Sequence, residues 1–449
     1  MHHDEVKERA QDPCDVRKEW SEVMANVTRK ELSPGVFLTA VRTDKFKTSV
    51  MGAFLLVPLR EETAAENALI PDVLRRGTAQ YPDMESLSAA LDELYGGSID
   101  PVVRKLGECQ CVGLAGSFVD DRFLPGQEPM LERAAELLGS LLLDPATERG
   151  VFRGDYVEGE KQNLIDDIRA VINEKRQYSI KRVLETMCSG EAFGVDKLGS
   201  EENARAITAE RLWQRYETLL KTARVELYYC GSAEPERAEN AMRNAFAALP
   251  GGEKRENPGC TVIADAGETQ TVEERMDVTQ GKLAMGFRTG GITMESPEYP
   301  ALLLMNAVFG GTTTSKLFMN VREKLSLCYF ASSMIDRRKG ILLVSSGIEF
   351  DKYEQAKSEI LAQLEACRKG EIEDWELEGA RRSEVSALEV TADNQGRLED
   401  YWLGQAAADA SESPEELAAR VERVTREEVA AAAKKLSLDT IYFLKGMEG

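Results

Sequence analysis

The stretch Ile207-Thr208-Ala209-Glu210 opens a helix leading into the strand Val225-Glu226-Leu227-Tyr228-Tyr229-Cys230-Gly231, and the same unit recurs near the far end of the chain. There Val424-Thr425-Arg426-Glu427 leads into Thr440-Ile441-Tyr442-Phe443-Leu444-Lys445-Gly446. In both copies the threonine is placed as a helix cap, its hydroxyl accepting from an otherwise unpaired first-turn N–H. A second pair keeps the same order. Val112 to Phe118, then Val119-Asp120-Asp121-Arg122-Phe123 and a helix, is matched by Leu342 to Ile348, then Glu349-Phe350-Asp351-Lys352-Tyr353 and a helix. Two repeated units in one order imply duplicated domains of about two hundred residues each.

Length agrees with duplication, because 449 residues exceed what one hydrophobic core ordinarily serves. The connection Pro250 to Pro258, rich in turn formers and charge, falls near the middle of the chain. The expected division is therefore 1–249, a linker over 250–270, and 271–449. Val36 to Arg42 and Thr48 to Val57 read as adjacent strands. Asp83 caps a helix that carries Leu87, Leu91 and Leu94 on one face before Gly96-Gly97 closes it. Hairpin-like neighbours favour an α+β fold over a doubly wound parallel sheet. The fold expected is two homologous domains, each a mainly antiparallel sheet flanked by helices.

Composition removes several function classes. A hydrophobic content of 43% with 30% charged residues is that of a soluble globular protein. The net charge of −22 argues against nucleic acid and against an anionic membrane, and favours basic ligands. No apolar run approaches bilayer length, and Met1 to Lys30 is too charged for a secretory signal. Cys14, Cys109, Cys111, Cys188, Cys230, Cys260, Cys328 and Cys367 include no C-x-x-C pair, and Cys109 and Cys111 share one strand face. Scattered thiols of this kind read as reduced core residues of a cytoplasmic protein. The sole histidines, His2 and His3, are adjacent near the first residue and receive no role.

The second half carries Phe309-Gly310-Gly311-Thr312-Thr313-Thr314-Ser315-Lys316-Leu317 and then Val321-Arg322-Glu323-Lys324-Leu325-Ser326-Leu327-Cys328-Tyr329. Its glycines lack the G-x-x-x-x-G-K-S/T spacing of a phosphate loop. Preceded by Gln280 to Phe287 and by Ser296-Pro297-Glu298-Tyr299-Pro300-Ala301-Leu302, this order resembles the M16 family of insulinase, pitrilysin and mitochondrial processing peptidase. The resemblance spans nearly the whole chain and is to bacterial-type members built from two domains of this size. It is similar in particular to an inactive-subunit branch of Gram-positive bacteria associated by name with elongation-factor P modification.

That resemblance sets expectations for the site. The family's zinc motif is H-x-x-E-H followed shortly by Gly-Thr, with the glutamate as general base on metal-bound water. Aligned on Gly77-Thr78, this chain has Ala68 and Asp72 at the histidine positions and Pro71 at the base, while the distant glutamate ligand falls near Asp166-Asp167-Ile168. The resemblance thus implies no metal in this chain and no peptidase activity of its own. Arg322 and Tyr329 stand at the spacing of the family's pair that holds the substrate carbonyl and stabilises the oxyanion. Loss of one half with retention of the other implies a heterodimer with a zinc-bearing M16 homologue, zinc residing in that partner, acting on unstructured peptides. Two alternatives stand beside it: a structural or peptide-binding protein of this fold with no role in proteolysis, and an enzyme with a different metal site. The second is disfavoured by the lack of histidine beyond His2 and His3.

Overall fold

Apolar runs build the central strands of two sheets in the computed structural model, which describes residues 26–447 except Gln127 and 252–254. His2, His3 and Cys14 lie outside the described residues. The first half supplies β1 (Val27–Ser33), β2 (Val36–Arg42), β3 (Thr48–Pro58), β4 (Ser98–Leu106), β5 (Cys109–Val119), a small hairpin of β6 (Thr147–Glu148) and β7 (Val151–Phe152), and β8 (Arg224–Gly231). The second supplies β9 (Gln270–Met276), β10 (Gly281–Arg288), β11 (Cys328–Asp336), β12 (Ile341–Ile348) and β13 (Ser437–Gly446).

The sheet orders are β1-β2-β8-β3-β5-β4 and β11-β12-β10-β13-β9. Only β2 with β8 and β13 with β9 run parallel; every other pairing in these two sheets is antiparallel. The α+β expectation holds, and so does the repeat. β8 and β13, which end the two duplicated units, each lie between one parallel and one antiparallel neighbour. The capping logic is also realised: Thr208 accepts from the Arg211 N–H, and Thr425 from the Glu428 N–H, with the Glu428 carboxylate returning to the Thr425 N–H.

The central strands of each sheet are buried on both faces. One face of the first packs under the helices Glu61–Leu74, Met130–Leu143 and Ala209–Thr222, through Leu69, Leu138 and Leu219. The helices Tyr353–Lys369 and Arg426–Lys434 cover one face of the second, through Ile360 and Val429. The opposite faces are closed by exchange. The helix Gln395–Ala407 lays Leu398, Trp402 and Leu403 on the first sheet, against Phe54, Leu56 and Tyr228. The helix Lys175–Met187 lays Val183 and Met187 on the second, against Ala284, Leu343 and Tyr442. Each such fully buried large side chain contributes roughly 1.5–3 kcal/mol, so the halves are bonded through their cores and not at a thin seam. Ion pairs reinforce the exchange: Arg104 grips Glu399 with two bonds of 2.7 and 3.0 Å, and Arg224 holds Asp409 at 2.6 Å.

Candidate functional site

The helix Glu61–Leu74 carries the three positions where a zinc site would lie. Ala68 is a methyl packed in the core, 1% exposed. Pro71 is also buried, inside the helix, where its ring removes one backbone donor and offers no group that could take a proton. Asp72 alone is ionisable. Its carboxyl is pushed up to about 7, by burial first and then by the negative charges of Glu160 and Asp167. Those two acids stand on the helix Gly154–Ala170, seven residues and about two turns apart, hence on one face.

Glu160 was not among the residues singled out from sequence; the heptad spacing to Asp167 was the signal available. Asp167, in the stretch where the distant ligand was expected, acts on Asp72 by its charge and helps to raise it. Glu160 is already paired: Arg76 holds it at 3.0 Å and stacks over the Tyr156 ring at 5.0 Å. Zinc in such a site wants imidazole, thiolate or closely converging carboxylates. A methyl, a proline and an acid that rests near half-protonation at neutral pH do not fit it. Among the described residues no group of three or more His, Cys, Asp and Glu is placed to hold a metal ion.

Of the other candidate pair, Arg322 sits in the turn Leu317–Lys324 and Tyr329 on β11, the edge strand of the second sheet. Gly310 lets the π-type turns Ala307–Gly311 and Leu317–Lys324 press against β11: a Cβ there would meet the Ser333 Oγ at 2.6 Å and the Ser333 backbone N at 2.8 Å. Leu317 and Val321 bury themselves beneath, and Lys316 closes a buried ion pair with Glu376 at 2.9 Å. Arg322, 39% exposed on its side chain, rests over the Phe318 ring at 4.5 Å and pairs with its neighbour Glu323 at 3.3 Å. Its charge also acts on the Cys328 thiol, which burial pushes up and Arg322 draws back down. Arg322 therefore lies near the residue that precedes Tyr329.

Tyr329 owes its position to a bulge. Cys328 pairs with Ile348 and Phe330 with Gly347, so Tyr329 is the extra residue of the edge strand. A bulge of this kind re-aims a side chain away from the sheet's regular alternation, and the Tyr329 ring is 71% exposed. The turn leading into it, Leu325 to Leu327, places Ser326 at φ 49°, a left-handed conformation that costs a non-glycine residue on the order of 1 kcal/mol. π-type turns, a bulge and a left-handed serine within one short stretch are the local irregularities that functional segments accumulate.

Comparison with known proteins places this geometry. A family model described as "Peptidase M16 inactive domain" matches residues 206–384. A Bacillus subtilis (strain 168) protein, "Probable inactive metalloprotease YmfF", is 35% identical over 420 residues, covering 92% of this chain and 97% of that one. The chain belongs to the peptidase M16 family. It is a homologue of the inactive kind, consistent with Ala68 and Pro71 at the metal and base positions. A conserved protein from Enterococcus faecalis V583 superposes on this M16 chain with a TM-score of 0.87 at 27% identity, covering 94% of this chain and 99% of that one. A peptidase M16 inactive domain from Pseudomonas fluorescens superposes at 0.75, covering 94% and 98%, and at 16% identity shows a shared fold. No helix among the described residues is long and apolar enough to cross a membrane.

Proposed function

We propose that this chain is the zinc-less subunit of a heterodimeric M16-type peptidase, cytoplasmic, with functional units at 1–249 and 271–449 joined by 250–270. In this reading a zinc-bearing homologue supplies metal and general base, and Arg322 and Tyr329 complete the site. The observation that carries it is the exposure of the Tyr329 ring on a bulge, beside an Arg322 whose ion pair is with its own neighbour. Among the described residues, Arg322 is otherwise engaged only in stacking on Phe318 and in that exposed pair. A guanidinium and a phenol aimed at one peptide carbonyl stabilise the oxyanion formed as water adds, each donor contributing about a hundred- to a thousandfold in rate. Substrates are unstructured peptides, and the −22 charge favours basic ones.

The test compares hydrolysis of a quenched basic peptide by this chain, by its zinc-bearing homologue, by the mixture, and by the mixture carrying Arg322→Ala with Tyr329→Phe. Activity confined to the mixture and lost in the double variant is expected. Equal activity with and without this chain would leave it a structural or peptide-binding protein.

A further inference from the structure

A cavity of about 410 Å³ opens between the β1–β2 edge of the first sheet, the exchanged helix Gln395–Ala407 and the loop that follows it. That volume is in the range of small-ligand sites. Its lining shares no residue with the degenerate zinc positions or with the Arg322–Tyr329 segment. Two of its wall residues carry buried polar atoms with no protein partner, the Trp402 Nε1 and the Gln405 Oε1. Trp402 is 8% exposed and Gln405 3%. Three residues apart on one helix, they share a face. The Gln405 side chain also hydrogen-bonds the Tyr401 hydroxyl. Because that hydroxyl donates to the Glu412 carbonyl at 2.9 Å, it accepts from the glutamine N–H, which leaves the Oε1 as the free end.

One free donor and one free acceptor on adjacent turns match the C=O and N–H of an amide. Leaving either unmet in a buried wall is costly, so a ligand that meets both gains more than surface contact alone would give. Charge narrows the ligand further. Arg29 lines the cavity, but its guanidinium is held by two 2.8 Å bonds to Glu226 and one to the Thr39 hydroxyl, so that pair is neutral. Glu415 and Glu416 at the rim remain, and the mouth is net acidic. We propose that this cavity binds a cationic amide, the chemistry of a lysine residue within a short peptide.

The probe is N-acetyl-lysinamide, followed through the indole N–H signals of the four tryptophans in the whole chain; Trp402→Phe assigns the relevant one. Lysinamide should move the Trp402 signal saturably. N-acetyl-norleucinamide, which keeps the amides and lacks the charge, should do so several-fold more weakly, and butylammonium not at all. Gln405→Leu should weaken lysinamide binding at least tenfold. Glu415→Gln with Glu416→Gln, in which the glutamine keeps the acceptor that Glu416 gives the Ser413 N–H at the helix cap, should bring it to the norleucinamide level. A Trp402 signal unmoved at millimolar lysinamide overturns the site and leaves a cavity holding water only. Equal binding of the two amides, or an unaltered affinity in the double glutamine variant, overturns its preference for a cation.

Discussion

The Lys339 ammonium lies 2.6 Å from the Glu191 carboxylate, with no part of the lysine side chain exposed, and this pair ties the turn before β12 to the first half of the chain. Glu108 stands 2.5 Å from the same ammonium, and Arg288 donates to Glu191 at 2.7 Å and to Asp439 at 2.9 Å. Burial would drive the lysine toward neutrality, but hydrogen bonds to Glu108 and Glu191 outweigh it and hold its pKa above the ordinary value. A charge network at this junction fixes how one sheet faces the other.

Removing the centre of that network should be severe. Lys339→Met leaves Glu108 without its ammonium and Glu191 with Arg288 alone, and removing one partner of a buried pair costs about 3–5 kcal/mol. Denaturant unfolding of the full chain measures it. A loss under about 1 kcal/mol would mean that water reaches the carboxylates and that the exchanged helices alone set the junction.

Two acids should give pH dependences of opposite sign. In Glu191, burial raises the pKa but hydrogen bonds from Arg288 and Lys339 prevail, and the folded value lies below the ordinary 4.5. The unfolded chain then binds the extra proton, so this contribution is present above about pH 4.5 and is lost as pH falls through the folded value. Asp72 behaves in reverse. With a folded value near 7 against 3.8, the folded state holds the extra proton between them, and stability falls as pH rises through that window. Asp72→Asn should therefore stabilise the chain above pH 7 by on the order of 1–3 kcal/mol and do little at pH 4. Parallel stability curves for Asp72→Asn and the parent would show that Asp72 is already ionised in the fold.

Much of this was legible in local chemistry. Asp83, Thr208 and Thr425 cap the helices that their positions implied, and β2, β3, β5 and β12 follow largely apolar runs. What stayed hidden is non-local. An amphipathic pattern over Gln395 to Ala407 says that one face is buried, not that it is buried on the other half's sheet. The bulge at Tyr329 arises from register between β11 and β12, which no single segment encodes, and it leaves that tyrosine exposed. Glu160 joined the acidic cluster only when two helices met.

Gly310 and Gly379 should respond oppositely to alanine. A Cβ on Gly310 would press on Ser333 of β11 and come within 2.7 Å of Leu317 Cδ1, an overpacking that costs typically 1–3 kcal/mol. Gly379 sits within the helix Asp374–Thr391, where the nearest atom to a new Cβ is the Thr314 hydroxyl at 3.8 Å. Gly379→Ala should stabilise by about 0.5–1 kcal/mol through helix propensity. Melting of the two variants reads both signs at once, and a neutral Gly310→Ala would show that the turn yields without strain.

The last prediction separates scaffold from chemistry at the Arg322–Tyr329 segment. Tyr329→Phe removes one hydroxyl from a ring that is already largely in solvent, so stability should change by less than about 0.5 kcal/mol. Arg322→Ala loses its stacking on Phe318 and an exposed pair with Glu323, together worth about 1 kcal/mol at most. If both side chains stabilise charge only as it develops, each variant should lower kcat of the mixture with the zinc-bearing homologue by about a hundredfold or more. KM should move far less, because the ground-state carbonyl carries little of that charge. A rise in KM with kcat intact would instead assign the pair to peptide binding alone. Unchanged kinetics in both variants, with folding intact, would remove them from the site.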